Sequence, residues 1–329
     1  MTYARIIGTG SYVPEKVLTN DDLSRMLGEN VNDFVSQVIG IEERHICGED
    51  ESTADLATQA ATRALAAANV SPADLDLVIL ATDTPEHLSP ATSVIVQHRL
   101  GAKSAGTFDV NCACAGFVTA LDTAAKYIIA DQAYRKVLVI GAYAMSKYVD
   151  WKDKKTATIF ADGAGAVVLQ AGDEGPGFLA SKLVADGSFS DFMGIYAGGT
   201  RMPITEEILR AGRWTRVRFA QRYPPEVNIE GWPKIIGEVL AKCNLGVADT
   251  DLFLFTQVNL STIKEVMRIL DAPMERTHTV MQKWGYTGSA CIPMVLDDAV
   301  RAGKLRRGDN LVMCASGGGL NMACVAFRW

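Results

Sequence analysis

The chain repeats itself, and that limits what it can fold into. Asn69, Asp74, Asp76 and the apolar run Leu77-Val78-Ile79-Leu80 reappear as Asn244, Asp249, Asp251 and Leu252-Phe253-Leu254-Phe255. Each copy reads as an amphipathic helix (Ala54–Ala68; Trp232–Cys243), a short acidic turn and a buried strand. The offset is about 175 residues, far beyond the period of a solenoid. It also carries Ala120-Leu121-Asp122 onto Val295-Leu296-Asp297, and a near-equal offset carries Val137-Leu138-Val139 onto Leu311-Val312-Met313. Two half-chains therefore share one alternating strand–helix plan, which places the chain in the α/β class.

The chemistry centres on Cys114. It lies in Phe108-Asp109-Val110-Asn111-Cys112-Ala113-Cys114-Ala115-Gly116-Phe117, where an apolar strand runs into an alanine-rich helix. A thiol at a helix N-terminus meets unpaired N–H groups and the helix dipole, and both favour the thiolate that attacks thioesters. Gly116 lets backbone pack closely behind the sulfur. The bland alternative is a buried structural cysteine at a strand–helix junction. The repeat offset carries Cys114 onto Ser289 at the start of the second half's equivalent helix. If a pseudo-twofold relates the halves, two helix N-termini converge near the middle of the molecule, a setting that favours developing negative charge. Ser289 also reads simply as a helix N-cap.

Composition excludes several functions. The 329 residues are 48% hydrophobic and 21% charged, with a net charge of −6 and no basic block, which argues against a nucleic-acid partner. No apolar run approaches the roughly 20 residues of a membrane span, and Met1-Thr2-Tyr3-Ala4-Arg5 lacks a signal pattern, so a cytoplasmic protein is expected. The seven cysteines are odd in number and mostly in apolar segments, as for reduced thiols. Cys112 and Cys114 form a C-x-C without a second ligand pair, so no metal is expected.

Five segments together carry a resemblance. They are Arg5-Ile6-Ile7-Gly8-Thr9-Gly10-Ser11-Tyr12-Val13-Pro14, Gly40-Ile41-Glu42-Glu43-Arg44, Cys114-Ala115-Gly116-Phe117, Phe160-Ala161-Asp162-Gly163-Ala164-Gly165-Ala166 and Gly317-Gly318-Gly319. Nearly end to end, the chain resembles condensing enzymes of the β-ketoacyl-ACP synthase III type in the thiolase superfamily, and within them the acetoacetyl-CoA synthase branch of bacterial secondary metabolism. The resemblance implies a duplicated five-layered αβαβα thiolase fold, with halves at 1–172, carrying the nucleophile, and 173–329. It also implies a homodimer, with strand Thr107–Val110 near the interface. Cys114 would take an acyl group from an acyl-CoA or acyl-carrier-protein thioester, with no tightly bound cofactor. Its backbone N–H would share an oxyanion with one from the terminal glycine loop, assigned to Gly318.

The rest of the family's catalytic set departs. Its histidine, which opens a His-Gln-Ala-Asn motif, falls on Thr256 of Thr256-Gln257-Val258-Asn259. Its asparagine, in a Gly-Asn-Thr loop, falls on Tyr286 of Gly285-Tyr286-Thr287. In decarboxylative condensation those two side chains donate to the thioester oxygen that becomes an enolate. Losing one such donor costs about 3 kcal/mol of barrier. Thr256 and Tyr286 keep hydroxyls, which donate as well as accept; Thr256 is short and a feeble base. For the CoA portion the resemblance offers Phe34, Lys154 and Asn259, while Val38 and Ser261 stand where the family has arginines. The loss of two cations favours a carrier-protein or altered thioester donor without excluding CoA. Lys264 and Arg268 share a helix face, read either as a carrier contact or as a solvated face. His45, His98 and His278 have no evident partner. His87, in the loop that in relatives crosses the dimer, is either a replacement base or an ordinary surface histidine.

Three functions fit these residues: an acyltransferase serving an already reactive acceptor, a β-ketoacyl synthase with a substituted oxyanion hole, and a non-catalytic subunit that completes a partner's dimer. The retained Cys114 motif and glycine loop argue against the third.

Overall fold

Two sheets carry the repeat. In the computed structural model, which describes residues 2–173 and 175–329, the first sheet contains β1 (Tyr3–Tyr12), β2 (Leu77–Ala81), β3 (Gly106–Val110), β4 (Lys136–Ala144) and β5 (Asp162–Gly172). Their spatial order is β1-β5-β4-β2-β3. The second sheet runs β6-β9-β8-β7, from β6 (Phe178–Ala185), β7 (Leu252–Phe255), β8 (Asn310–Gly317) and β9 (Asn321–Arg328). Directions match strand for strand: β2 is parallel to β4 as β7 is to β8, and the pairings β4·β5 and β5·β1 are antiparallel as are β8·β9 and β9·β6. Met1, the first residue of the segment read for a signal pattern, lies outside the described residues.

The match extends to single residues. Asn69 and Asn244 both end their helices in the left-handed conformation, at φ 52° and 54°, which Asn tolerates better than most residues. The N–H of Asp76 donates to the Lys136 carbonyl, and its carboxylate accepts the N–H groups of Arg135 and Lys136. Asp251 makes the corresponding bonds to the carbonyl and N–H of Asn310. One element differs: β3 has no full counterpart, and a single parallel bridge between Phe253 and Thr277 stands in its place.

Helices α1 (Thr53–Ala68), α2 (Thr92–Leu100), α3 (Gly116–Ala130), α4 (Gly231–Lys242), α5 (Leu260–Ile269) and α6 (Cys291–Arg301) complete five layers. The period of two along a strand sorts the faces. Val78, Leu80, Leu138 and Ile140 meet the alanine face of α1, whereas Leu77, Ile79, Val137 and Val139 face the central layer of α3 and α6. The second sheet and then α4 lie beyond. This is the duplicated αβαβα arrangement expected. The stretch Ala113–Ala130, interrupted by Asp122 and Lys126, reaches the length and composition of a membrane span; in the fold it forms α3 and its approach, with 61% of it buried inside the molecule.

Two contacts lock α6 to the first sheet. A side chain at Gly141 would place its Cβ 2.3 Å from the Ser289 carbonyl oxygen, so the entry to α6 lies hard against β4. At the far end Asp297 accepts hydroxyl hydrogen bonds from Thr9 (2.8 Å) and Ser11 (2.6 Å) of β1 and pairs with Arg301.

Candidate active site

The thiol is presented by a tight turn between β3 and α3. The Asn111 side chain accepts the Ala113 N–H (3.2 Å), and Ala113 takes a positive φ of 47°. The Ala115 and Gly116 N–H groups then close back onto the carbonyls of Cys112 and Ala113. Cys114 follows the strained residue and is 2% exposed. Gly317 of β8 lies directly on this turn. A Cβ there would come within 2.5 Å of the Cys112 oxygen and 2.6 Å of the Cys114 nitrogen, a separation only glycine permits.

The offset residue Gly288 repeats the device, with φ 45° just before Ser289. A Cβ at Gly116 would lie 3.9 Å from that of Ser289, so the two helix entries do converge. Ser289 is not an N-cap, correcting that reading: it is fully buried and donates to the Ala142 carbonyl at 2.8 Å.

The thiol's electrostatics reverse the expectation of an acidified cysteine. Burial pushes Cys114 well above the usual thiol range, and the neighbouring Asp83 charge raises it further. A hydrogen bond with the Tyr286 hydroxyl and the residue's own N–H act in the lowering direction and do not win. Desolvation of a thiolate in an apolar pocket outweighs the dipole at a helix entry. Cys114 therefore rests as a thiol.

Tyr286 reaches the sulfur because its backbone is stitched to the segment before β5. Its N–H donates to the Ile159 carbonyl (3.1 Å), its carbonyl accepts from the Ala161 N–H (2.9 Å), and its ring stacks on Phe160 with centroids 5.8 Å apart. Behind it Gly285, at φ 70°, packs on Ala161 and the stem of Arg44. Arg44 is itself fully buried, bonded to Asn20 and to the carbonyls of Leu18 and Thr158, and burial lowers its pKa to about 10.

The other expected residues divide. The Thr256 hydroxyl is buried, accepts the Ser316 N–H at 3.0 Å and donates to the Ser316 carbonyl at 3.4 Å, bracing the glycine loop; with its proton so placed, it is not a free donor. Gly318 lies beside Met193 and the Tyr223 hydroxyl. Asn259 caps α5, its Oδ1 accepting from Ser261 and Thr262, which corrects the cofactor-binding reading for that oxygen. Phe34 is 61% exposed, and Lys154 pairs with Glu29 (3.1 Å), tethering its segment to the chain just ahead of Phe34. His87 is exposed, outside the buried cluster of its own chain. Arg268 pairs with Glu265, and His278 bonds Asp298 at 2.7 Å. All seven cysteines are free, and no metal-binding cluster occurs among the described residues.

Three groups escaped the sequence reading: Asp83, Tyr143 and Cys291. The charges or dipoles of Asp83, Tyr286 and Cys291 act on Cys114, and Cys114 in turn acts on Tyr143 and Tyr223. Asp83 carried a usable signal. An acid directly after the apolar strand in Ala81-Thr82-Asp83-Thr84 sits at a carboxyl strand end, where α/β sheets place their ligands.

A thiol raised at a strand–helix turn, a glycine-rich backbone loop against it and a duplicated αβαβα frame define a thiolase-fold condensing enzyme. Residues 108–187 match the family described as 3-oxoacyl-[acyl-carrier-protein (ACP)] synthase III, and residues 240–329 match its C-terminal part. Beta-ketoacyl-[acyl-carrier-protein] synthase III of Thioalkalivibrio sulfidiphilus is 39% identical over 329 residues, 100% of each chain. The protein of that description from Caldanaerobacter subterraneus subsp. tengcongensis is 38% identical, covering 99% of this chain and 98% of its own. The crystal structure of 3-oxoacyl-[acyl-carrier-protein] synthase III from Aquifex aeolicus superposes with a TM-score of 0.89 at 36% identity, over 99% of this chain and 100% of that one. The chain belongs to the 3-oxoacyl-ACP synthase III family.

Proposed function

We propose that the protein is an acyltransferase of this family, in which Cys114 takes an acyl group from an acyl-CoA or acyl-carrier thioester and passes it to an already reactive acceptor. The reading includes a homodimer in the cytoplasm, two halves dividing at residues 172 and 173, and a role in secondary metabolism or fatty-acid-like biosynthesis, with the acetoacetyl-CoA synthase branch as its nearest kin. Thr256 and Tyr286 are taken to stand where the family has histidine and asparagine. The observation that carries the reading is that the Thr256 hydroxyl is committed to the Ser316 backbone as both acceptor and donor, while the Tyr286 hydroxyl acts on the nucleophile's sulfur. Neither supplies what an imidazole supplies to an enolate, and the missing stabilisation amounts to several kcal/mol.

The test is to give acyl-loaded enzyme a malonyl thioester and follow carbon dioxide and 3-oxoacyl product. Little or no turnover is expected, with partial recovery in the double variant Thr256→His, Tyr286→Asn. Turnover near an ordinary 10 per second or so would overturn the reading. It would favour the second one, a decarboxylative 3-oxoacyl synthase using the Tyr286 hydroxyl in its oxyanion hole; the names of the relatives and the retained donor on Tyr286 support that alternative.

A further inference from the structure

Two segments of the chain close on the glycine loop together. Met193–Gly194 pairs antiparallel with Arg218–Phe219, and the Phe192 carbonyl accepts the N–H groups of Ala220 (2.8 Å) and Gln221 (3.1 Å). On one side of this ladder Phe219 stacks on Phe160 with centroids 6.1 Å apart, the ring on which Tyr286 also stacks. On the other, the Tyr223 ring stacks on Phe189 (5.7 Å, 20°) and leans on Phe192 (5.3 Å). That packing sets the Tyr223 hydroxyl against the glycine loop. A Cβ at Gly318 would lie 3.8 Å from the Tyr223 oxygen and 3.4 Å from the Met193 methyl. The preceding glycine, Gly317, is the one pressed on the Cys114 nitrogen. The hydroxyl and the nucleophile's backbone therefore meet adjacent residues of one loop.

Several buried side-chain atoms lack a hydrogen-bond partner, among them Asp83 Oδ1, Asp122 Oδ1 and the hydroxyls of Tyr143 and Tyr223. Tyr223 is the case placed by contacts at the glycine loop. A buried tyrosine hydroxyl ordinarily finds an acceptor. Here the loop's own groups are turned elsewhere. The Gly318 carbonyl accepts from the Asn321 side chain (3.2 Å), and Leu320 exchanges both backbone bonds with Asp186 (2.7 and 2.9 Å). The backbone group acting on the phenol is the Gly319 N–H, which can serve only its oxygen and leaves the O–H proton uncommitted. Burial holds the phenol above its usual range, so it stays protonated.

We propose that the Tyr223 hydroxyl is a further catalytic donor of this site, hydrogen-bonding the thioester carbonyl oxygen as it becomes an oxyanion. The inference rests on the reading of Cys114 as nucleophile and of Gly318 as an oxyanion donor. As the Cys114 sulfur bonds to the carbonyl carbon, the carbonyl π pair moves onto oxygen. The Tyr223 O–H then joins the N–H groups of Cys114 and Gly318 in holding that charge. With the Gly319 N–H behind it, the phenol is polarised toward the oxyanion, since donors in series reinforce one another. The pair returns to form the carbonyl as the donor's sulfur departs with the proton that Cys114 gave up. One thiol is exchanged for another, and no electrons are gained or lost. A donor held by ring stacking before the charge develops needs no reorganisation when it does.

The experiment follows acylation by intact-protein mass at neutral pH, with acetyl, butanoyl and octanoyl N-acetylcysteamine thioesters over a range of concentrations. Iodoacetamide alkylation of Cys114 is measured in parallel. Tyr223→Phe keeps the ring and its stacking and removes one oxygen. Its maximal loading rate falls about 10²–10³-fold, the cost of one lost oxyanion donor, while the half-saturating thioester concentration is unchanged. Alkylation passes through no oxyanion, so its rate is also unchanged. With Tyr223 replaced by 3-fluorotyrosine, a more acidic phenol of nearly the same shape, loading is faster than in the native protein. A packing role would leave loading intact in Tyr223→Phe or slow both reactions together. Native-like loading by Tyr223→Phe, a parallel fall in both rates, or a change confined to the half-saturating concentration overturns the proposal. So does loading no faster with 3-fluorotyrosine, a test that keeps every native contact. Acylation that persists in Cys114→Ala overturns the nucleophile reading itself; loading that depends on Cys114 but ignores Tyr223→Phe overturns only this inference.

Discussion

The junctions at Cys114 and Ser289 are built alike and used differently. Each follows a residue at φ near 45°, Ala113 or Gly288, and each opens a central-layer helix. Ser289 donates its hydroxyl to the Ala142 carbonyl and so fastens α6 to the first sheet. Cys114 has no such backbone tie; the Asp83 charge and the Tyr286 hydroxyl act on it instead. The difference begins one element earlier. In the first half a full strand, β3, leads to the turn; in the second it shrinks to one bridge at Thr277. The chain from Thr277 onward is then free to cross to Ile159 and Ala161, and this is what delivers Tyr286 to the other half's sulfur. Duplication supplied two equivalent turns, and loss of one edge strand let the second half serve the first.

The largest effect expected from this asymmetry is at the sulfur. Cys114→Ala abolishes acyl loading measured by intact mass, while Cys112→Ala retains it. Placing a thiol at the sister position, Ser289→Cys in the Cys114→Ala background, does not restore loading; restored loading would show the two turns to be chemically equivalent. Next comes the crossing residue. Tyr286→Phe removes a donor to the thiolate and raises the Cys114 pKa further, so iodoacetamide alkylation at fixed pH slows by about 10-fold or more, from the ~1.5–3 kcal/mol of a hydrogen bond to a charged group. An unchanged rate would detach Tyr286 from the nucleophile. The smallest effect is at the tie itself: Ser289→Ala lowers stability by about 1 kcal/mol, read as a downward shift in thermal unfolding.

The repeat was legible in the sequence because its markers are local. A helix-ending asparagine, an acid that caps the next strand's backbone and a four-residue apolar run each act on near neighbours, and their spacing survives in both halves. The convergence of Gly116 with Ser289 followed from that spacing. The charge state of Cys114 did not. A helix entry is visible in sequence and argues for a thiolate, but burial and the Asp83 charge come from segments distant along the chain, and they decide the sign. Thr256 was misread for a similar reason: its bond to Ser316 spans 60 residues and exists only once β7 and β8 pair. Asp83 carried a local signal, but its unsatisfied oxygen appears only in the packed molecule.

The hydrogen bonds from Thr9 and Ser11 to Asp297 bear on how the chain is made. They join residues 288 and 286 positions apart, so the first strand to leave the ribosome waits for the last helix among the described residues. After β5 is complete, the remaining 130 or so residues up to Arg301 take on the order of ten seconds to synthesise. Through that interval the inner face of β1 and β5, the strands on which α6 chiefly packs, has yet to be covered by it. Nascent chains caught in this window are the ones a chaperone has most reason to hold, and a fragment ending before residue 291 retains that exposed face and lacks the Asp297 anchor for β1.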